Sequence, residues 1–115
     1  MTPLFEIETN VLDGRVELAF KGELDIASFP VVEERLREVE EGRPHTIVFD
    51  LRGLRFMDST GLRVILAADK RARRDGWKIV VVEGPEAVHR VFRLALLDRR
   101  LDFVTDPADV TGDQT

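Results

Sequence analysis

The sequence predicts a single α/β domain whose mixed sheet has mostly parallel core strands packed against helices. The runs Thr46–Leu51 and Trp77–Glu83 are rich in apolar and β-branched residues, which is typical of central strands. The segment between them has helical periodicity, and a strand, a helix and a strand in this order form a parallel pair with a right-handed crossover. A length of 115 residues fits one domain with one core.

A β-hairpin is predicted at the start of the chain. Residues 4–9 and 15–21 alternate apolar and polar side chains, and the Asp13-Gly14 dipeptide between them favours a tight turn. We expect the hairpin to be followed by a loop at residues 22–26, which leads into the first helix.

The first helix is predicted to begin after Ser28, which is a favoured N-cap residue, and Pro30 is tolerated in its first turn. Gly42 and Pro44 are expected to end it. Its apolar positions recur at three- and four-residue steps and form one stripe: Phe29, Val32, Leu36 and Val39.

The second helix is predicted from Ser59 to Asp75, with Gly76 ending it and a short link that carries Gly53 joining it to the preceding strand. Gly61 has no side chain, so the first turn is expected to approach a neighbouring backbone closely. One apolar stripe is expected to face the sheet: Leu62, Ile65, Ala68 and Ala72.

The C-terminal part is predicted to add a third helix, opened by Pro85, and a short strand at residues 102–105. The packed domain is thus expected at residues 4–106. Residues 107–115, which are rich in Asp, Thr and Gly, are expected to form a flexible tail. One side of the third helix is apolar: Val88, Val91, Phe92 and Ala95.

The composition narrows the function classes. A net charge of −5 and a pI near 5.1 argue against a nucleic-acid-binding protein. The absence of cysteine excludes thiol catalysis, and with only two histidines we expect no metal site and no cofactor. No apolar run approaches the roughly 20 residues needed to cross a bilayer, and the N-terminus lacks the pattern of a secretory signal. We therefore expect a cytoplasmic protein that has no membrane partner.

The Asp58-Ser59-Thr60 motif places a hydroxyl in the first turn of the second helix. The backbone N–H groups of that turn have no partners within the helix, and the helix dipole makes this end partly positive. A phosphate on Ser59 would therefore lie where an anion is stabilised. Asp and Ser are also common N-cap residues, so the motif taken alone is more typical of an ordinary helix start.

One face of the second helix carries Ser59, Arg63, Leu66 and Lys70, which follow one another at three- and four-residue steps. A hydroxyl, two cations and an apolar side chain are suited to docking a partner protein. The alternative is that Leu66 packs at the edge of the core and the cations are only solvated. The same two interpretations apply to the acidic residues within 33–41 and to the basic residues within 70–74.

Three segments together resemble the STAS domain of bacterial anti-sigma factor antagonists: Gly22-Glu23-Leu24-Asp25, the strand Ile47–Leu51, and Phe56–Leu62 with the helix that follows. Their order and spacing are similar to those of the family, and the later helix from Pro85 also resembles it. The resemblance covers roughly residues 4–106, and the Phe56–Leu62 string is its most specific part.

The resemblance implies a STAS-like fold and a regulatory protein that is not an enzyme. It implies that Ser59 is phosphorylated by a partner anti-sigma factor that is itself a serine kinase. The unphosphorylated form would bind that partner and free a sigma factor, which would control sigma-factor-dependent transcription, and a serine phosphatase would reset the cycle.

The resemblance also implies roles for the neighbours of Ser59. Asp58, Thr60 and Gly61 belong to the same motif, and Thr60 is a second candidate for modification because some relatives carry phosphate on a threonine at or beside this position. Asp25 is expected near the same surface. The partner would then contact the exposed face of the second helix through Arg63, Leu66 and Lys70.

Three alternatives are open. A hydrolase with Ser59 as nucleophile needs a histidine base and normally a G-x-S-x-G turn, whereas His45 and His89 belong to a strand start and to the third helix. A nucleotide-binding STAS module is a second alternative, although the chain has no glycine-rich phosphate loop. The third is a STAS subunit of a lipid-transport ABC system or of a stressosome-like assembly.

Overall fold

The computed structural model describes residues 4–110, which form one five-stranded sheet and three α-helices. Along the chain the elements are β1 (Phe5–Leu12), β2 (Arg15–Leu24), α1 (Phe29–Glu41), β3 (Thr46–Met57), α2 (Ser59–Asp75), β4 (Lys78–Val82), α3 (Glu86–Leu94) and β5 (Phe103–Val104). The strands lie in the order β1-β2-β3-β4-β5. β1 and β2 form an antiparallel hairpin and all other neighbours are parallel, so the predicted mixed sheet is confirmed.

One core cluster joins the three helices to one face of the sheet. Successive side chains of a strand point to opposite faces, so alternate residues of the central strands reach this core. The rings of Phe20 on β2 and Phe49 on β3 are fully buried and meet edge to face, with centroids 5.7 Å apart. Phe92 of α3 is buried in the same cluster.

The predicted apolar stripes of the helices are largely confirmed. The residues from the three stripes that are buried are Val32, Leu36, Ile65, Ala68, Ala72, Val88 and Phe92. Leu62 is only half-buried, and Val64, which the prediction left out, is buried in its place. Ala95 was assigned to the buried side of α3, but the helix ends at Leu94 and Ala95 is exposed.

β2 and β3 are longer than the sequence predicted. We expected a loop at residues 22–26 and a link at Gly53, but β2 continues to Leu24 and β3 to Met57, and these two residues are paired. Two shifts of register keep the strands paired past Gly53, and such bulges interrupt the alternation from which strands are recognised. The loop that begins at Asp25 and the start of α2 therefore leave the sheet side by side.

The face of the sheet away from the main core is covered by the C-terminal segment. Pro107–Asp109 forms a short 3₁₀ helix, and Val110 is buried. The prediction of a flexible tail from residue 107 is therefore wrong for residues 107–110, while residues 111–115 lie outside the described part of the chain. Val110 packs with side chains that point away from the three helices: Val48, Val80 and Val82.

The substitution Val110→Ala is expected to lower the free energy of unfolding by about 1–2 kcal/mol, because two buried methyl groups are removed from this cluster. Urea denaturation measures the change. Thr105→Ala, at an exposed position of the same segment, is the control and should stay within about 0.5 kcal/mol of wild type. Equal effects of the two substitutions would show that Val110 does not pack on the sheet.

The acidic and basic segments of α1 and α2 partly neutralise each other. Arg71 donates two hydrogen bonds to the carboxylate of Glu40, from Nε to Oε1 and from Nη2 to Oε2, each at 2.8 Å. The hydrogen bond to Glu40 raises the pKa of Arg71 above its usual value. This ion pair connects α1 to α2. Some of these charged residues therefore have a structural role, in addition to the solvation and partner docking considered above.

Candidate functional site

At the start of α2, one residue caps the helix and a different residue presents an exposed hydroxyl. Asp58 is the N-cap residue, and its Oδ1 accepts a hydrogen bond from the backbone N–H of Thr60 at 2.8 Å. Ser59 is the first residue of the helix, and it is exposed. Because Asp58 caps the helix, the Ser59 hydroxyl is not required for that task.

Replacement of Asp58 by Ala is expected to lower the free energy of unfolding by about 1 kcal/mol, because the cap is lost. Asp58→Asn should retain most of that stability, since Asn caps a helix about as well as Asp. Urea denaturation of both variants measures these changes in the free energy of unfolding. Equal losses would mean that the negative charge near the helix dipole matters and that the hydrogen bond to Thr60 does not.

Because Gly61 has no side chain, the first turn of α2 lies close to the end of β2. A Cβ atom at this position would lie 2.6 Å from Cγ of Met57 and 2.9 Å from Cδ2 of Leu24, which is too close. The backbone N–H of Asp58 also donates to the carbonyl oxygen of Leu24, at 3.3 Å. The close approach expected at Gly61 is present, but its contacts are side chains and not a neighbouring backbone.

The loop after β2 is organised by Asp25. Its Oδ1 accepts hydrogen bonds from the backbone N–H groups of Ala27 at 3.0 Å and Ser28 at 3.2 Å. In return the backbone N–H of Asp25 donates to Oγ of Ser28 at 2.9 Å. Ser28 was predicted to cap α1 with its side chain, but its buried hydroxyl serves this loop and makes no cap hydrogen bond.

Asp25 and Asp58 occupy equivalent places on neighbouring strands. Asp25 follows Leu24 and Asp58 follows Met57, and these two strand-end residues are paired across β2 and β3. The carboxyl ends of the two parallel strands thus bring the Asp25 loop and the start of α2 to one edge of the sheet. This geometry favours the expectation that Asp25 lies near the surface of Ser59, which stays a prediction.

The face of α2 that was predicted to dock a partner is only partly free. Ser59, Arg63 and Lys70 are exposed. Leu66 is half-buried and packs against the main core, which favours the interpretation that it lies at the core edge. This face therefore offers a hydroxyl and two cations, with less apolar surface than the periodicity suggested.

Exposed apolar side chains near Ser59 were missed by the sequence analysis. Ile26 in the Asp25 loop is 76% exposed, Phe56 near the end of β3 is 48% exposed, and Phe29 at the start of α1 is 39% exposed. The signal was present, since Ile26 interrupts a polar loop and Phe56 is the first residue of the Phe56–Leu62 string. Ile26 and Phe29 border a groove of about 390 Å³ between α1 and α2, and Thr60 and Arg63 line its other side.

The arrangement gives Ser59 no catalytic partner among the histidines. His45 lies at the opposite end of β3, which is 12 residues long, and the ring of His89 packs against Phe103 with centroids 4.9 Å apart. Within residues 4–110, no three His, Asp or Glu side chains are grouped to hold a metal ion, and no helix is both long and apolar enough to span a membrane. An exposed hydroxyl at a helix N-terminus remains as a group that can accept a phosphate.

Sequence comparison with known proteins finds a family model and relatives that match most of this chain. The family model of the STAS domain matches residues 6–109. The anti-sigma-B factor antagonist of Staphylococcus aureus (strain NCTC 8325 / PS 47) is 27% identical over 88 residues, which cover 76% of this chain and 82% of that protein.

Solved structures share the fold. An anti-sigma factor antagonist from Mycobacterium paratuberculosis matches with a TM-score of 0.80 and 24% identity, over 91% of this chain and 89% of that one. The antagonist SpoIIAA in its unphosphorylated form matches with a TM-score of 0.76 and 19% identity, over 90% and 91% of the two chains. The phosphorylated form of SpoIIAA from Bacillus gives a TM-score of 0.71 and 18% identity, over 90% and 95%.

Proposed function

Because this chain belongs to the STAS domain family, we propose that it is an anti-sigma factor antagonist whose partner binding is switched by phosphorylation of Ser59. The observation that carries the proposal is the position of Ser59. Its side chain is exposed at the first residue of α2, while Asp58 supplies the cap. The family relationship supports the regulatory role, since the Staphylococcus aureus relative is an anti-sigma-B factor antagonist.

In the proposed cycle the unphosphorylated protein binds an anti-sigma factor that is also a serine kinase. Binding frees a sigma factor. The kinase then transfers the γ-phosphoryl group of ATP to Oγ of Ser59, which breaks the bond between the γ-phosphorus and the β–γ bridging oxygen, leaves ADP and releases the hydroxyl proton. A serine phosphatase hydrolyses the phosphoserine and restores the hydroxyl. The existence of SpoIIAA in unphosphorylated and phosphorylated forms supports such a cycle for a protein of this fold. The whole cycle takes place in the cytoplasm, and it involves neither nucleic-acid nor membrane binding by this chain.

Phosphorylation is expected to leave the domain folded. A phosphoserine carries about −1.5 to −2 charges near neutral pH. At a helix N-terminus such a charge is stabilised by about 0.3–1 kcal/mol, and the guanidinium of Arg63, one turn further along α2, is close enough in sequence to pair with it. The neighbouring carboxylate of Asp58 opposes this effect. The switch therefore acts on the interface and not on the fold.

The docking surface surrounds Ser59 on two sides. One side is the cationic face of α2, which carries Arg63 and Lys70. The other side is mainly apolar and consists of Ile26 and Phe29, with the groove between α1 and α2 that Glu33 also lines. Exposed apolar side chains next to a charged rim are typical of protein interfaces, and burial of Ile26 would supply affinity that a new charge at Ser59 then opposes.

A reconstitution tests the proposed function. An anti-sigma factor kinase from the same genome is mixed with its sigma factor and then with the unphosphorylated protein, and the complexes are separated by size-exclusion chromatography. We expect the kinase to elute with this protein and the sigma factor to elute free. If the sigma factor stays bound to every such kinase at an excess of this protein, the antagonist role is wrong. Binding to a transporter ATPase in a parallel experiment would indicate the alternative complex.

A further inference from the structure

A second cleft lies at the end of the molecule opposite Ser59. It has a volume of about 620 Å³ and lies between the tip of the β1–β2 hairpin and the end of α1. This size is within the range of about 300–1,000 Å³ that is common for small-molecule sites. β3 begins at this end of the sheet and leads to Ser59 at the other, so the cleft is separate from the proposed docking surface.

The floor of the cleft is apolar, and the helices leave its edge at Val11 uncovered. Val11 of β1 is paired with Val16 of β2, and Val16 belongs to the main core. Val11 therefore points toward the helix-covered face, yet it is 66% exposed. α1 ends at Glu41, and Val39 and Pro44 complete an apolar lining that no described segment fills.

Basic groups border this apolar floor. Arg43 adopts a left-handed backbone conformation with φ of 49°, and its guanidinium lies 6.0 Å from the centroid of the Trp77 ring. It forms no ion pair with any carboxylate of residues 4–110. His45 is exposed at the same rim.

The remaining charged groups of the lining are already engaged with each other. Arg35 donates a hydrogen bond to Oγ1 of Thr9 at 2.6 Å. The single lining carboxylate, that of Glu38, lies 3.8 Å from the same guanidinium. Arg43 and His45 are thus the lining groups that form no ion pair with the lining carboxylate, and both can donate hydrogen bonds to an anion.

We propose that this cleft binds a small amphipathic anion. Its apolar chain lies on Val11, Val16 and Pro44, and its carboxylate or phosphate head accepts hydrogen bonds from Arg43 and His45. The proposal does not depend on phosphorylation of Ser59, because the cleft shares no lining residue with the groove beside α2.

Isothermal titration calorimetry with decanoate, kept below the concentration at which micelles form, tests this inference on the full chain. We expect saturable binding of one decanoate and a change in the fluorescence of Trp77, which is the only tryptophan and lies beside Arg43. Decyl phosphate should bind as well, whereas decyltrimethylammonium should not. Heat that rises in proportion to concentration without saturation, or equal binding of the cation, would overturn the proposal.

Two pairs of variants locate the site. Val11→Glu should abolish decanoate binding, whereas Leu12→Glu, at the adjacent residue on the opposite face of β1, should leave the affinity within about twofold of wild type. Arg43→Gln should weaken binding about tenfold, since it removes a charged hydrogen-bond donor, and Arg43→Lys should restore most of it. Wild-type affinity in Arg43→Gln contradicts the assignment even if Val11→Glu proves too unstable to measure.

Discussion

Phosphorylation of Ser59 is expected to weaken binding to the anti-sigma factor kinase by two to three orders of magnitude. A dianion placed against an acidic or desolvated partner surface costs about 3–4 kcal/mol, and each ~1.4 kcal/mol is a factor of ten in affinity. No rearrangement of the domain is needed, because Ser59 is already exposed, and the next residue, Thr60, lines the same groove as Ile26 and Phe29.

Binding measurements on matched variants separate this effect from general charge repulsion. Ser59→Asp should bind more weakly than wild type, and Ser59→Ala should bind constitutively, in the presence or absence of ATP. Asn10→Asp adds the same charge at an exposed position of β1, away from the docking surface, and should bind like wild type. Equal affinities of Ser59→Asp and wild type would contradict the electrostatic account.

Melting temperatures of the two phosphorylation states should agree, since the switch acts only on the interface.

The substitution Gly22→Ala is expected to destabilise the domain by about 2–4 kcal/mol. Gly22 has a positive φ of 99°, and the backbone N–H of the next residue, Glu23, donates to the carbonyl oxygen of Leu4 at 2.8 Å. A Cβ atom on Gly22 would lie 2.0 Å from that same oxygen. Alanine therefore forces β1 away from β2 beside the Asp25 loop.

Gly76→Ala is the matched control for this prediction. Gly76 ends α2 with φ of 100°, and a Cβ atom there would meet no atom within 4 Å. Its replacement by alanine should lower the free energy of unfolding by about 1–2 kcal/mol, which is the strain of a left-handed backbone at a residue with a side chain. Urea denaturation of both variants isolates the steric part as the difference between them. If Gly76→Ala is as destabilising as Gly22→Ala, the close approach of the two strands has no energetic importance.

The architecture was predictable because its main signals are local. The apolar run from Thr46 and the helical stripe containing Ile65 and Ala68 are complete within their own segments, and the strand–helix–strand order determines the parallel pairing. The extension of β3 to Met57 was not predictable in this way. Its residues after Leu51 are kept in the sheet by pairing with β2, and this pairing involves two shifts of register.

The candidate site was predictable only in part, for a related reason. The hydroxyl of Ser59 and the cap at Asp58 belong to one short motif, so sequence spacing places them correctly. Ile26 and Phe56 are exposed apolar residues near the ends of two different strands, and the position of Ile26 beside α2 depends on how β2 and β3 terminate together. Val110 is buried because it packs on the sheet face that the three helices leave uncovered. No sequence pattern identifies which segment of the chain covers that face.

Mass spectrometry of the protein after incubation with its anti-sigma factor kinase and ATP tests the central proposal most directly. The account predicts one phosphate on Ser59 in the wild-type protein and none in Ser59→Ala, in which Thr60 is still present. A wild-type protein that carries no phosphate after incubation with each such kinase of its genome, or that carries it on Thr60 alone, would contradict the account.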